Sequence, residues 1–229
     1  MPACPPCPSS VASDHSGESD QASLGSHAHA GRFHVVRQQC GQPIAVAGWR
    51  VTSPHRKVAE ELVSLLHGTQ HECVVDGQQW TEVLTSLEAV PVLLRAGDIS
   101  KRLVLRSVRE SFHVCDGRVF VEPESRKGQR CGCAPNWEER RAAARAGRGP
   151  RPDVDIRFRL AGAPELGTFT LKSTSWDFMQ SLPTINDGLR GGKSVVPFSL
   201  GLRRVDFTTA SGADVSYRRP HLAPLDHSY

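Results

Sequence analysis

The chain has 229 residues, 38% hydrophobic and 23% charged, enough for one domain or two small ones with a sizeable core. No run approaches the roughly 18 apolar residues of a membrane span, and no basic stretch followed by an apolar one is visible at the start, so neither a spanning helix nor a secretory leader is expected and the location is read as cytoplasmic. A formal net charge of +4 suits work near nucleic acid but falls short of a dedicated binder, and seven cysteines in a reducing compartment point to metal ligation or plain burial rather than a disulfide framework.

Residues 1–31 are rich in Pro, Ser, Gly, Ala and His, with Val11 and Leu24 as the only aliphatic side chains larger than alanine. Such a segment has too little apolar surface to offset its ordering entropy and reads as a disordered tail. Its C-x-x-C, Cys4 and Cys7, encloses two prolines and has no second pair nearby, so the tail reading is preferred to a metal site.

Residues 32–112 read as a first α+β half. Phe33 and Val35, then Ala47, Trp49 and Val51, alternate as two strands around a turn at Gly41, Gln42 and Pro43. Ser53 is expected to cap a helix with Pro54 at its first position, and Val58, Leu62, Leu65 and Leu66 give it an apolar stripe ending near Gly68. Residues 83–96 and 100–114 read as further strands, the second with a short helix as the alternative. Cys40 and Cys73 stand alone among apolar residues and are expected in the core.

Residues 113–135 hold His113, Cys115, Cys131 and Cys133. Residues two apart on an extended strand share a face, so His113 with Cys115 on one arm and Cys131 with Cys133 on the other can present one nitrogen and three sulfurs, a tetrahedral zinc set of the closed, structural kind. The spacing is not the C-x2-C pair of well-marked zinc sites. Reduced thiols, or one Cys–Cys bridge formed on oxidation, stay open as alternatives.

The connector, residues 136–152, starts with Asn136 as a cap, carries Glu138 and Glu139 in its first turn and stops at Gly147. Arg140, Arg141, Arg145 and Arg148 make it basic, which fits either a solvated helix face or a partner-binding rim. In residues 153–223, a second α+β half, strands at 153–161 and 166–174 precede a helix capped by Ser173 or Ser175 and carrying Trp176, Phe178, Met179 and Leu182. Residues 195–220 read as two strands joined at Ser211 and Gly212, and 224–229 as a tail. The fold class is therefore α+β: two similar strand-helix-strand halves with antiparallel sheets, joined by the cysteine-rich hairpin and a short basic helix. Internal duplication and mere likeness between strand-to-helix units both account for the similarity.

No phosphate loop, nucleophile elbow or H-E-x-x-H helix occurs, and Asp153 with Asp155 at a strand mouth reads as solvated carboxylate. An enzyme is not expected. Taken together, GWRVTSP, HVCDGRVF with CGCAP, the stretch from ERRAAARAGRGPRP to STSWDF and the closing LRRVDFTTASGADVSYRRPHL resemble the recombination directionality factors of actinobacterial phages and integrative elements, over Arg32 to Leu222. The resemblance implies a non-catalytic partner of a large serine integrase on attachment-site DNA, switching recombination from integration to prophage excision, with little sequence-specific DNA binding of its own. The alternatives are a single-stranded nucleic-acid binder using Trp49, Trp176 and Phe178 as stacking platforms, or a metal-dependent nuclease of a mobile element.

Overall fold

The computed structural model describes residues 29–39, 42–106, 111–189, 195–209 and 211–225. Residues 1–28 of the expected tail, with Cys4 and Cys7, residue Cys40 and the last four residues lie outside these. Within them the chain is mixed α+β, dominated by strands, with three α-helices. The order is β1 (Gly31–Gln39), β2 (Gln42–Ser53), α1 (Arg56–Leu66), β3 (Thr69–Val75), β4 (Gln78–Leu84), β5 (Ala89–Leu94), β6 (Ile99–Arg106), β7 (Ser111–Cys115), β8 (Phe120–Glu122), α2 (Trp137–Arg145), β9 (Arg151–Leu160), β10 (Phe169–Ser173), α3 (Trp176–Leu189), β11 (Val196–Thr208) and β12 (Asp214–Pro224).

Alternation is cleanest in β9, where Pro152, Val154, Ile156, Phe158 and Leu160 are buried and Arg151 and Arg157 exposed. β9 is also where the sheet divides. One edge pairs with β10, whereas the other is shared by β6, along residues 151–156, and β5, at residues 159 and 160. β5 leads to the β11–β12 hairpin and β6 to β7 and β8, so the chain forms one branched twelve-stranded sheet rather than two separate antiparallel ones. The segments before and after the cysteine cluster meet at β1 and β10, which run parallel from Gly31 against Phe169 to Phe33 against Leu171.

β2 with α1 and β10 with α3 each give a strand, a two-residue turn and a helix, and in both a serine accepts a hydrogen bond from the amide two residues on: Ser53 from His55 and Ser173 from Ser175. Beyond the helix they differ, because the β3–β4 hairpin returns beside β2 while the β11–β12 hairpin pairs with β5. Phe33 sits at the centre of the core, edge-on to Trp49, Phe158 and Phe169 at centroid separations of 5.5, 5.1 and 5.6 Å. Such aromatic contacts contribute beyond area burial. α1 covers the core with Val58, Ala59, Leu62 and Leu66.

Five local expectations are corrected. Ser53 is not the cap of α1: it is buried at the end of β2, its hydroxyl donates to the Ala30 carbonyl, and α1 starts two residues beyond Pro54. Gln42 and Pro43 belong to β2, paired with Gln39 and Gln38. Ala30 and Gly31, assigned to the tail on composition, are buried, and Pro224 ends β12 opposite Phe198. Cys73 is half-buried on β3, a strand at the sheet's end, and is not in the core; burial raises its thiol pKa.

Candidate functional site

β7 brings the first two donors of the cysteine cluster into place. Pairing of Leu105 with His113 and Leu103 with Cys115 fixes the strand, and its period of two aims both side chains to one side. The next turn is closed by Asp116, whose side chain accepts from the amides of Arg118 and Val119 at 2.7 and 2.8 Å. The chain then runs out through β8 and back. Residues Arg118 to Phe120 lie between the two arms, since Cys131 donates its amide to the Arg118 carbonyl and Phe120 its own to that of Gln129.

The second arm is not an extended strand at Cys131–Cys133. Gly132, at φ +72°, turns the backbone, and that bend, rather than strand alternation, delivers both thiols to the site. The result is one compact cluster. The ligating atoms of His113, Cys115, Cys131 and Cys133 all lie within 4.8 Å of one another, a set that can hold a metal ion. His113 Nε2 is 3.2 Å from Cys115 Sγ and 3.4 Å from Cys133 Sγ, and the two sulfurs are 3.6 Å apart.

Cys115 is fully buried and packs in the core, with Cys131 and Cys133 against its edge. Burial pushes the Cys115 and Cys133 thiols up. Burial, followed by the charge of Arg126, pulls His113 down and favours the neutral imidazole that ligates metals. The ring of His113 lies 4.7 Å from that of Phe120, which the Arg126 guanidinium covers at 3.7 Å.

Arg140 ties this loop to α2. Its guanidinium donates to the carbonyls of Gly117 and Ala134, one on each side of the cluster, and lies 5.0 Å over Trp137. Gly117, at φ +94°, serves both the turn and this approach, because a Cβ there would come within 2.6 Å of Arg140 Nη1. The cap is as expected: Asn136 Oδ1 accepts from the Glu139 amide at 2.7 Å. Trp137, which the sequence reading passed over, packs edge-on against Trp176 at 5.8 Å. A tryptophan opening an otherwise polar helix was the available signal.

The connector's arginines separate into two groups. Arg140 is internal, and Arg141 donates to Asp177, which also receives Arg219 of β12. Arg145 and Arg148 are exposed. Of the proposed stacking platforms, Trp49 and Phe178 are buried and only Trp176 is half-exposed. Asp153 is engaged by Arg102 at 3.4 Å and Arg106 at 3.1 Å, and Asp155 faces Lys172 at 3.7 Å, so this pair is charge-matched within the chain. Ser175 caps α3, accepting from the Phe178 amide at 3.3 Å.

No helix among the described residues is long and apolar enough to cross a membrane. No solved structure matches the chain. Residues 21–225 match the family described as Gp3-like, recombination directionality factor-like, a span that holds the metal-competent cluster, the α2 connector and every described strand. The chain thus belongs to the recombination directionality factor-like family, whose members are accessory factors in recombination and not catalysts.

Proposed function

We propose that this protein binds a serine integrase seated on attachment-site DNA in the cytoplasm and switches its recombination from integration to excision of a mobile element. The family match over residues 21–225 carries the reading. Physically the protein acts as a ligand with different affinities for two synaptic arrangements of the integrase, so it shifts their populations without contributing chemistry. Burial of Trp49 and Phe178 and the ion pairs around Asp153 weigh against the stacking and nuclease alternatives.

The ion assigned to the cluster is zinc, held by Cys115, Cys131, Cys133 and His113 in a structural role. A tetrahedral ion with Zn–S near 2.3 Å and Zn–N near 2.05 Å separates its donors by about 3.8 Å (S to S) and about 3.6 Å (N to S). Among His113, Cys115 and Cys133 the separations of 3.6, 3.2 and 3.4 Å need only a few tenths of an ångström of expansion, and Cys131, within 4.8 Å of the other donors, completes the set by closing in. When bound, zinc cross-links the two arms that Arg140 joins to α2. Within the connector, partner contact falls to Arg145 and Arg148, the arginines left exposed.

The test is recombination in vitro with a cognate serine integrase. Addition of the protein should switch on recombination between the left and right hybrid sites and suppress it between the phage and host sites. Both effects are required, since stabilising one synaptic arrangement disfavours its competitor. Unchanged direction in both reactions would overturn the reading.

A further inference from the structure

β5 covers β11 only from Val196 to Gly201, and β12 ends the sheet, so beyond Leu202 the β11–β12 hairpin continues as a two-stranded ribbon. Its register sets Arg203 opposite Arg219, Val205 opposite Tyr217 and Phe207 opposite Val215. Cross-strand partners and residues two apart share a face, so these six project together, while Arg204, Asp206, Ser216 and Arg218 occupy the other face. The rings of Phe207 and Tyr217 meet edge-on at 6.3 Å and remain 48% and 41% exposed.

At the root of the ribbon this face continues into a groove of about 570 Å³, where Tyr217 and Arg219 meet Val35, Trp176, Arg141 and Arg145. Of the five arginine or lysine side chains lining the groove, Arg141, Arg219, Lys172 and Arg218 are paired with carboxylates of the chain, which leaves Arg145 to meet a carboxylate from outside. We infer that ribbon face and groove together form the docking surface for the integrase, receiving an apolar protein segment that carries carboxylates. This rests on the function proposed above.

Charge and apolarity together select a protein over DNA. Three of the ribbon's four arginines are already matched within the chain: Arg204 by Asp206 at 2.8 Å, Arg218 by Glu88 at 2.9 Å and Arg219 by Asp177. Little charge is left over for phosphates, and the valines and Phe207 gain nothing from them. Arg203 and Arg145 have no carboxylate partner among the described residues and rim an apolar centre, the arrangement of a protein interface. The metal centre supports the same surface, because Arg140 holds the cluster loop to α2, Trp137 packs on Trp176, and Arg141 and Arg219 share Asp177.

The experiment measures affinity for the integrase, free and on hybrid-site DNA, for the wild type, for Phe207→Ser with Tyr217→Ser, and for Arg203→Glu. The double variant is expected to bind at least tenfold more weakly in both settings, the effect of losing anchoring aromatics, with its melting temperature unchanged. Arg203→Glu, at an exposed position, should weaken binding several-fold and decides the matter should the double variant fold poorly. Wild-type affinity in Arg203→Glu and in a folded double variant overturns the surface and leaves the function standing. A wild type that neither binds integrase nor alters direction rejects both. Loss of binding to naked DNA alone, or of self-association alone, with integrase affinity intact, would give the face to DNA or to a second copy and overturn the inference.

Discussion

Replacing Cys131 and Cys133 together by serine removes two of the four donors and leaves Cys115 buried beside His113. The wild type is expected to carry one zinc per chain, and the variant none. At a free zinc concentration a thousandfold above its dissociation constant, a bound ion adds about 4 kcal/mol to the folded state. For a chain of this size that is about 8–16 °C of melting temperature. Chelator should take away that increment from the wild type and leave the variant unmoved. Ligation displaces protons from the thiols that burial holds in their neutral form, so the chelator-sensitive increment should grow from pH 6 to pH 8. Metal content by atomic emission and melting by scanning fluorimetry read both arms. A metal-free wild type with chelator-insensitive melting, or a double-serine variant that keeps its zinc, would refute the assignment.

Arg140→Ala strips donors from the Gly117 and Ala134 carbonyls and should cost about 3 kcal/mol, seen as a lower midpoint in urea, whereas Arg145→Ala should stay within about 0.5 kcal/mol of the wild type. Glu82 is 3% exposed and receives Arg50 at 2.6 Å as well as Arg37, so Glu82→Ala leaves two cations facing an apolar gap and should lower stability by about 3–5 kcal/mol. His34 is held at about 4, first by burial and then by Arg50 and Arg32, and its Nε2 lies 3.0 Å from Thr52 Oγ1. Because the unfolded chain takes up this proton first, near pH 6.5, the histidine's contribution is intact above that pH and is lost as pH falls toward 4; His34→Gln should flatten the stability profile across that window.

Most elements were legible in the chain itself, since alternation and capping are local. β9 declares itself through five buried residues at a spacing of two, α2 through Asn136, and α3 through Ser175. That His113, Cys115, Cys131 and Cys133 gather in one place was legible too, because they fall on two arms of one short, glycine-rich stretch. Alternation states which residues share a face and leaves open what that face meets. Parallel pairing of β1 with β10 joins residues more than 130 positions apart, and the division of β9 between β5 and β6 arises where the chain turns at Gly97; neither leaves a local pattern. The same holds for side chains whose role is set by a distant neighbour. Arg140 and Arg141 look like Arg145 in the sequence, yet tertiary contacts commit the first to the cysteine-cluster loop and the second to Asp177, because a guanidinium beside unpaired carbonyls or a carboxylate is drawn inward while the same group over open solvent is not.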